Sequence, residues 1–427
     1  MNILLTGATG FIGSHLLRAL QAQGHQVTAC VRDPASAARQ FPGPRYITCD
    51  FTRDHTVASW RDRLAGVEVI INAVGIIRES GAQTFHALHF AAPRALFLAA
   101  AEAGVKKVIQ ISALGADDQA ESRYHLTKRA ADDVLAGLGL DCVILRPSIV
   151  HGAGAKSSEM FRALAALPFI PVPDDGRQLL QPIHIDDLVR VVLASIAKPE
   201  AGCPRIDLVG PEPITFLDML LQMRRWLGLS RPRVLHVPYA LLLPLARIGG
   251  FLGNAPITPE TAAMLRRGNC APVQALIERF GINPTGFVQV LDGTPATQAD
   301  RWHARLYWLR PLLRLSIAFT WIGTAIVSAL LYPAADSYAL LAQTGIQGIY
   351  APLTLYGAAA LDLALGIAVL TRYRLRETVW PQIAVIIGYM LIISWALPEY
   401  WLHPFGPLTK NVPLLAAILT MYAMERR

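Results

Sequence analysis

The sequence predicts an α/β domain with a doubly wound parallel sheet, followed by an all-α transmembrane domain of four helices. The first half of the chain alternates short apolar segments, typical of buried strands, with amphipathic segments typical of helices. After residue 312 the chain contains long apolar segments that carry few charges. Hydrophobic residues make up 53% of the 427 residues and charged residues only 16%, which fits a protein that lies partly in a membrane.

A glycine-rich turn joins the first predicted strand, Asn2 to Leu5, to a helix that begins at Phe11. Gly7, Gly10 and Gly13 follow one another at intervals of three residues. In this context one glycine forms the turn, one lets a pyrophosphate approach the backbone, and one lets the helix pack closely on the strand. Free N–H groups at the helix N-terminus then bind the phosphate charge. The turn therefore predicts a dinucleotide-binding site.

The end of the second predicted strand, Gln26 to Arg32, is where such sites select their cofactor. An acidic side chain there binds a ribose 2′-hydroxyl group, whereas an arginine suits a 2′-phosphate. Arg32 occupies this position and Asp33 follows it. We therefore predict NADP as the cofactor, and Asp33 keeps NAD open as the alternative.

Three further strands are predicted at residues 46–49, 67–71 and 107–112, with a helix at about 90–103 before the last of them. In a doubly wound sheet, ligands bind at the carboxyl ends of the strands. Asp50 follows the third strand and is expected to contact the adenine end of the cofactor. Small residues follow the fourth strand and leave room for the cofactor.

Tyr124 and Lys128 predict acid–base chemistry, because they are four residues apart and therefore on one face of a helix. A tyrosine with an unperturbed pKa of about 10 is a weak acid–base catalyst near neutral pH, and a nearby lysine ammonium group would lower that pKa. Lys128 is also expected to hydrogen-bond the nicotinamide ribose. Ser112, at the end of the fifth strand, is expected to polarise a substrate carbonyl group.

These motifs together resemble the short-chain dehydrogenase/reductase superfamily, in its extended or atypical branch, over about residues 1–295. The resemblance rests on residues 6–13, 72–75, 145–152 and 181–188, together with Ser112, Tyr124 and Lys128. Within this branch, residues 108–116 and 213–291 are similar to the group related to the 39-kDa accessory subunit of respiratory complex I. The resemblance implies a Rossmann domain in which the cofactor contacts Gly7, Thr9, Gly10, Phe11, Ile12, Gly13, Arg32, Asp50, Phe51, Ala73, Val74, Gly75, Lys128 and Pro147.

One departure from that branch concerns Ser112. The branch often carries two or three hydroxyl residues at the end of strand five, whereas Ala113 follows Ser112 here. The departure weakens the carbonyl-polarising role of Ser112 more than the roles of Tyr124 and Lys128. Some relatives in the branch bind a dinucleotide without known turnover, so the resemblance does not by itself establish catalysis.

The predicted domains are an NAD(P)-binding domain at residues 1–298, a basic and aromatic linker at 299–314, and a membrane domain at 315–427. Substrate-side segments of the first domain are predicted at about 153–180 and 212–298. The apolar residues within 161–170 are compatible with a lipophilic substrate and equally with ordinary core packing. A helical stretch at Tyr239 to Leu252 is expected to lie against the membrane surface.

Four transmembrane helices are predicted at about residues 313–332, 348–371, 379–397 and 407–424. This part resembles the DoxX-like four-helix membrane family. Arginines are concentrated in the loop 372–377 and at the C-terminus, whereas the loop 333–344 contains neither arginine nor lysine. By the positive-inside rule, the soluble domain and the C-terminus are predicted on the cytoplasmic side of a bacterial-type inner membrane. No secretory signal is recognised at the N-terminus.

Charge and cysteine patterns restrict the partners and cofactors. The net charge is +8, but the arginines are concentrated beside the apolar segments, so the predicted partner is a lipid bilayer and not a nucleic acid. The five cysteines are scattered and lack CxxC pairing, which predicts reduced thiols and neither a disulfide framework nor a zinc site. His151 and His184 are expected to be structural because no metal-ligand spacing surrounds them, and no metal site is predicted.

The leading prediction is a membrane-anchored, NADP-preferring oxidoreductase with a small, lipophilic substrate and with Tyr124, Lys128 and Ser112 as catalytic residues. A nucleotide-sugar epimerase or dehydratase is one alternative, because that branch shares the same motifs. A second alternative is a non-catalytic NADPH-binding protein that senses redox state or helps to assemble a membrane complex. The sequence does not identify a membrane-complex or homo-oligomer partner. A third is a transporter-like membrane domain, which rests only on the charge of Asp362 within an apolar segment.

Overall fold

The computed structural model describes residues 1–200, 202–242, 244 and 258–425. The chain divides into two compact units, Met1–Ala304 and Arg305–Arg427. The strands of the first unit are β1 (Asn2–Thr6), β2 (Gln26–Val31), β3 (Arg45–Thr48), β4 (Val69–Asn72), β5 (Lys107–Ile111), β6 (Cys142–Pro147), β7 (Val150–His151), β8 (Phe169–Pro173), β9 (Leu179–Leu180), β10 (Ile183–His184), β11 (Arg205–Leu208), β12 (Ile214–Thr215) and β13 (Arg233–Val237).

Helices connect these strands. Those that the structure describes in full are α1 (Phe11–Ala22), α2 (Pro34–Gln40), α3 (Ala58–Arg61), α4 (Ala92–Glu102), α5 (Arg123–Ala136), α6 (Lys156–Ala166), α7 (Ile185–Ala197), α8 (Phe216–Trp226), α9 (Pro259–Arg267), α10 (Gln274–Phe280) and α11 (Phe287–Gly293). A π-helical segment, His86–Ala91, directly precedes α4. The predicted helix over 239–252 is described only at residues 239–242 and 244, and its other residues lie outside the described part of the chain.

Seven strands form one parallel sheet in the order β11-β6-β5-β4-β1-β2-β3. Strand β1 pairs with β2 on one side and with β4 on the other, so the strand order reverses between β1 and β4. Such a reversal opens a crevice at the carboxyl ends of the strands, where doubly wound sheets bind their ligands. The predicted doubly wound parallel sheet is confirmed.

Both faces of the sheet are covered, which explains the continuous apolar sequence of β1. Ile3 and Leu5 pack with Leu16 in a core on one face of the sheet, whereas Leu4 packs with Leu96 in a core on the other face. All five side chains are at most 1% exposed. The sheet therefore fixes the carboxyl ends of its strands, and the loops that follow them, on a rigid base.

The second unit is helical. Helix α12 (Gln298–Ile326) enters it from the first unit and continues as a π-helical segment, Val327–Leu331. It is followed by α13 (Ala334–Gln343), α14 (Tyr350–Thr371), α15 (Leu375–Ala396) and α16 (Asn411–Met424). Among the described residues, three helical segments (298–331, α14 and α15) are long and apolar enough to cross a membrane. The fourth predicted crossing corresponds to α16, an apolar helix of 14 residues. Helix α13 lies within the predicted 333–344 loop.

Polar side chains are buried in this helical unit. The indole N–H of Trp321 donates to Oε1 of Gln382 at 2.9 Å, and Nε2 of Gln382 donates to the carbonyl of Thr378 at 3.0 Å. Asp362 on α14 is 5% exposed, and its Oδ1 has no hydrogen-bond partner among the described residues. Asp362 therefore remains a buried and incompletely paired acid, as a functional residue or a residue in contact with a ligand would be.

The prediction that all five cysteines are reduced was wrong, because Cys142 and Cys203 form a disulfide with a Cα–Cα distance of 4.8 Å. The physical reason is the pairing of β6 with β11, in which Ile144 lies opposite Arg205. The same register, continued by two residues, brings Cys142 opposite Cys203. Sequence spacing did not indicate this pairing, because the two cysteines are 61 residues apart.

Candidate cofactor site and active site

The glycine turn after β1 is sterically closed to larger residues at two positions. Gly7 has a φ of +70°, and a Cβ atom there would lie 2.7 Å from the carbonyl oxygen of Ala73. A Cβ atom on Gly13 would lie 2.1 Å from the carbonyl oxygen of Gly7. Gly10 donates its backbone N–H to the same Gly7 carbonyl at 2.9 Å. The turn therefore brings the start of α1 against the end of β1 as closely as the backbone allows.

The start of α1 is arranged to receive an anion. Gly10 caps the helix without a side-chain hydrogen bond, and the first turn of the helix contains no acidic residue. Helix N-termini carry partial positive charge and unpaired N–H groups, which favour phosphate. Thr9 and Gly10 are exposed, and Phe11 and Ile12 are half-buried.

A chain of buried amide and hydroxyl groups joins three strand ends beside this turn. The Thr6 hydroxyl donates to Oδ1 of Asn72 at 2.6 Å, and Nδ2 of Asn72 donates to Oε1 of Gln110 at 2.7 Å. All three residues are fully buried, at 0% exposure. Because each residue is on a different strand, the hydrogen bonds hold the ends of β1, β4 and β5 in register. Thr6 and Gln110 were not predicted as site residues, since the contacts between their strands depend on the sheet order.

The residues after β2 and β3 provide charged side chains at the carboxyl edge of the sheet, which is the edge formed by the carboxyl ends of the parallel strands. Arg32 is exposed and lies within electrostatic reach of Asp50. The carboxylate of Asp33 accepts the N–H of Ser36 at 3.0 Å and so caps α2. Asp50 accepts hydrogen bonds from the backbone N–H and the hydroxyl of Thr52, at 3.0 and 2.8 Å. These hydrogen bonds lower the pKa of Asp50 against the effect of its burial, so it stays ionised.

Phe51 and Pro147 are buried, as are Gly13 and Lys128 among the predicted cofactor residues. The Phe51 ring is 6% exposed and packs edge-on against Trp60, with ring centroids 5.6 Å apart. Pro147 ends β6, and its carbonyl accepts the N–H of Leu114 at 2.9 Å. The structure therefore places the Phe51 ring in the core beneath the edge, whereas Ala73, Val74 and Gly75 are only partly buried or exposed.

Lys128 on α5 reaches back to the carboxyl edge of the sheet. Its ammonium group donates to the carbonyl of Val74 at 3.2 Å and to the carbonyl of Ile111 at 3.0 Å. A Cβ atom on Gly75 would be 3.4 Å from the Lys128 nitrogen, so the glycine leaves room beside it. Burial lowers the pKa of Lys128 to about 8, against the opposing effect of the Asp132 carboxylate. Lys128 thus joins the loops after β4 and β5.

Tyr124 lies one turn before Lys128 on α5, as predicted. Its half-buried ring packs edge-on against Phe85 and His89, at centroid distances of 5.9 and 5.2 Å. The prediction that its pKa is lowered was wrong for this state of the protein. Burial raises the pKa of Tyr124 to about 12, and the Asp132 carboxylate adds to the rise. The physical reason is that loss of hydration disfavours the phenolate.

Ser112 is brought to the same cluster but is occupied by a partner that the sequence did not reveal. Its hydroxyl donates to the Asp132 carboxylate, and the two residues are 4% and 0% exposed. Burial raises the pKa of Asp132 to about 6, although the Ser112 hydroxyl and the Lys128 charge both lower it. Asp132 thus links the three predicted catalytic residues, since it affects the pKa values of Tyr124 and Lys128 and accepts the Ser112 hydrogen bond.

His89 is a further site residue that the sequence did not reveal. It lies in the π-helical segment before α4, where Nε2 accepts the backbone N–H of Ile76 at 3.0 Å. Nδ1 lies 3.3 Å from the hydroxyl of Thr127. Burial and the Lys128 charge lower the pKa of His89 to about 2, so it is neutral. Its Nε2 is the acceptor, so Nδ1 carries the proton and donates to Thr127.

A cavity of about 200 Å³ lies beside this cluster, on the side of Phe85. Ile77 and Thr258 contribute to its wall, and a Glu79–Arg123 ion pair at 3.0 Å borders it. Glu79 also accepts the backbone N–H of Phe85 at 2.8 Å. Phe85, which lines the cavity, also contacts the Tyr124 ring.

The parallel sheet, the glycine turn and the residues at the carboxyl edge define the class: an NAD-binding Rossmann domain of the short-chain dehydrogenase/reductase type. Residues 3–210 match the model of the NAD dependent epimerase/dehydratase family, and residues 318–419 match that of the DoxX-like family. The chain therefore combines an epimerase/dehydratase-type Rossmann domain with a DoxX-like membrane domain. Both predicted resemblances are confirmed.

Named relatives share the first part of the chain. Ceramide reductase of Caulobacter vibrioides is 28% identical over 239 residues, which cover 55% of this chain and 73% of that protein. Subunit 9 of the mitochondrial NADH dehydrogenase 1 alpha subcomplex of Arabidopsis thaliana is 25% identical over 260 residues, which cover 58% of this chain and 63% of that protein. The predicted similarity to complex I subunits is thus confirmed.

Solved structures share the fold of the first part. MoeE5 in complex with UDP-glucose and NAD is similar with a TM-score of 0.53 and 22% identity, over 73% of this chain and 100% of that one. The dTDP-glucose 4,6-dehydratase of Bacillus anthracis in complex with NAD has a TM-score of 0.54 and 17% identity, over 73% of this chain and 99% of that one. At these identities the likeness concerns the fold alone.

Proposed function

We propose that the chain is a membrane-anchored, NADP-preferring reductase that acts on a lipophilic carbonyl compound. The proposal is carried by the position of Tyr124 and Lys128, one turn apart on α5, with the Lys128 ammonium group held by the carbonyls that follow β4 and β5. This edge of the sheet is where a Rossmann fold presents its cofactor. Tyr124 is thereby the acid–base residue, and Lys128 is the residue that orients the nicotinamide ribose.

The Tyr124 phenol carries its proton at neutral pH, because burial raises its pKa to about 12. A phenol with this pKa is protonated at neutral pH and acts as an acid. NADPH, when bound, would supply the hydride for this reduction. Tyr124 gives its Oη proton to the carbonyl oxygen, which completes the alcohol, and the phenolate then recovers a proton from solvent. The positive charge of Lys128 stabilises that phenolate.

The preference for NADP rests on the different states of Arg32 and Asp33. Residues described by the structure form no hydrogen bond or ion pair with Arg32, which is exposed and able to bind a 2′-phosphate. The Asp33 carboxylate is engaged as the cap of α2 and is less able to accept a ribose 2′-hydroxyl group. The glycine turn would hold the pyrophosphate, and residues 73–75 would border the nicotinamide half.

A lipophilic substrate is supported by two observations. The DoxX-like part and the three apolar helices make the chain a membrane protein. One relative of the Rossmann part is a ceramide reductase, named for a lipid. The cavity beside Phe85 is the proposed substrate entry.

NADPH oxidation by the detergent-solubilised full-length protein tests this proposal. A membrane-lipid extract, long-chain ketones and simple quinones serve as acceptors. We expect turnover in the wild type and a loss of about 100-fold or more in Tyr124→Phe, the range of general acid catalysis. Tyr350→Phe, which changes a tyrosine that is 68% exposed in the second unit, is the matched control. Equal rates in wild type and Tyr124→Phe would refute the catalytic role.

A non-catalytic role in redox sensing or complex assembly is the second candidate. It is favoured by the Ser112 hydroxyl, which donates to Asp132 instead of being open to a substrate, and by the relatives among complex I subunits. Tight NADPH binding by both wild type and Tyr124→Phe, without turnover of any acceptor, would favour it. An epimerase or dehydratase would convert a nucleotide sugar without net consumption of NADPH.

We also infer that the first unit lies on the cytoplasmic side of the membrane, with four crossings in the second unit. The arginine-rich turn between α14 and α15, residues 372–376, supports this orientation. Cys270 is an exposed free cysteine of the first unit and serves as a native label. A membrane-impermeant maleimide is expected to label it in inverted membrane vesicles and not in intact spheroplasts. Labelling in both, or only in spheroplasts, would contradict the orientation.

A further inference from the structure

An arginine cluster in the second unit is formed by Arg310, Arg314 and Arg372, with Glu425 as the neighbouring acid. Arg310 and Arg314 are four residues apart on α12 and therefore share one face of the helix. The charges of Arg310, Arg372 and Glu425 all act on Arg314. Glu425 pairs with Arg310 at 2.8 Å. Glu425 is thus engaged by Arg310 and does not pair directly with Arg314.

Arg314 is buried without a partner. It is only 6% exposed, and its Nε is buried with no hydrogen bond. The residues described by the structure form no hydrogen bond or ion pair with any other atom of its guanidinium group. A buried charge of this kind is strongly unfavourable unless something neutralises it.

Arg224 in the first unit provides a comparison, because it is a buried arginine whose guanidinium group has hydrogen-bond partners. It is 7% exposed, which is nearly the same burial as Arg314. Its guanidinium group donates to the carbonyls of Ala165, Leu167 and Ser230. Arg224 is therefore satisfied by the fold itself, whereas Arg314 has no hydrogen-bond partner among the described residues.

We propose that Arg314, together with Arg310 and Arg372, binds a phosphate-type oxyanion at the boundary of the membrane. Guanidinium groups bind phosphate through paired, charge-assisted hydrogen bonds. Buried basic pockets between membrane helices on the cytoplasmic side are suited to anionic headgroups.

The position of the cluster along the chain supports a site at headgroup depth. Arg314 directly precedes the uncharged segment 315–332, and Arg372 directly follows the apolar helix α14. The same turn contains two non-glycine residues in the left-handed conformation, Arg372 with φ 60° and Arg374 with φ 45°. Such backbone costs energy and is often kept at binding sites.

The oxyanion has two sources, a phospholipid headgroup or a water-soluble phosphate, and one experiment separates them. The full-length protein is purified in delipidated detergent micelles. Its thermal unfolding is followed with added phosphatidylglycerol, with phosphatidylcholine, and with inorganic phosphate at matched ionic strength. Saturable stabilisation of the wild type by phosphatidylglycerol alone identifies a lipid site, whereas saturable stabilisation by inorganic phosphate identifies a site for soluble phosphates. Stabilisation by neither would overturn the proposal.

Two variants assign the effect to Arg314. Arg314→Leu removes the buried charge, so the apparent affinity for the stabilising anion is expected to fall about tenfold or more, the effect of losing a hydrogen bond to a charged group. Without anion, the Tm of Arg314→Leu is expected to equal or exceed that of the wild type, because an apolar side chain replaces an unpaired buried charge. Arg374→Gln is the matched control, since Arg374 is exposed and paired with Glu377.

The two outcomes of the variant series are distinct. Retention of the anion effect in Arg374→Gln and its loss in Arg314→Leu would support the site. A lower Tm of Arg314→Leu without anion, combined with an unchanged anion effect, would show that Arg314 is a structural residue and would overturn the proposal. Neither readout depends on NADPH turnover, so failure of the proposed reductase activity leaves this test intact.

Discussion

Among the three glycines of the turn, Gly13 is the one at which an added methyl group is expected to disturb the cofactor site most. The added Cβ would lie 2.1 Å from the Gly7 carbonyl oxygen, 2.7 Å from the Gly7 carbonyl carbon and 2.9 Å from the Cα of Ala8. These are backbone atoms, so no side-chain rotation relieves the contact. An ordinary van der Waals contact requires the start of α1 to move away from β1 by more than about 1 Å.

Two consequences follow from a shift of this size. Overpacking of a close contact costs about 1–3 kcal/mol of unfolding free energy. The N–H groups at the start of α1 move with the helix, so hydrogen bonds to the pyrophosphate weaken. A loss of about 1.5–3 kcal/mol for a hydrogen bond to a charged group corresponds to roughly a ten- to hundredfold rise in the Kd for NADPH.

Fluorescence titration of NADPH and thermal unfolding of the full-length protein measure both effects. Gly293→Ala is the matched control, because a Cβ atom there meets nothing within 4 Å. We expect the control to bind NADPH as the wild type does. If Gly13→Ala bound NADPH with the wild-type Kd, the turn would not be the pyrophosphate site and our reasoning would be refuted.

Three further predictions concern other parts of the chain. Arg32→Ala is expected to weaken NADPH binding about tenfold and leave NADH binding unchanged, and equal loss for both cofactors in titrations would contradict the 2′-phosphate role. Asp132→Asn tests the buried carboxyl group of Asp132, whose pKa is raised from 3.8 to about 6. Because the folded state holds this proton more tightly than the unfolded state, the free energy of unfolding falls as pH rises from about 4 to 6. The Tm of Asp132→Asn relative to wild type should therefore be higher at pH 7 than at pH 4, and a difference that does not change with pH would count against it. Gln382→Leu leaves the Trp321 N–H without its acceptor and is expected to lower the unfolding free energy by about 1–3 kcal/mol. In a double-mutant cycle, the variant with both Trp321→Phe and Gln382→Leu should recover part of that lost unfolding free energy, because no donor is then left without its acceptor.

The sequence predicted those features that depend on local pattern. The glycine spacing, the apolar strands and the i, i+4 pair of Tyr124 and Lys128 are all readable within a few residues. The parallel, doubly wound class of the sheet followed from the alternation of strands and helices, whereas the strand order was not predicted.

The features that the sequence did not predict depend on contacts between distant segments. Asp132 reaches Ser112 across 20 residues, and His89 reaches Thr127 across 38. The pKa of Tyr124 is set by burial, which is a property of the packed state, and not by the neighbouring lysine on the same helix. Helix α13 was also missed, because its ten residues fall within a segment that was treated only as a connection between crossings.

The hydrogen-bonded chain of Thr6, Asn72 and Gln110 restricts how this protein can diverge. Replacing Thr6 alone with valine leaves a buried oxygen of Asn72 without its donor, and replacing Asn72 alone leaves both neighbours unmatched. Replacing all three with apolar residues of similar volume removes both partners of each of these two hydrogen bonds at once. We therefore expect related sequences to have either all three polar groups or none. A sequence in which one partner is missing is expected to be less stable than either alternative, which makes stepwise replacement of the three residues unfavourable.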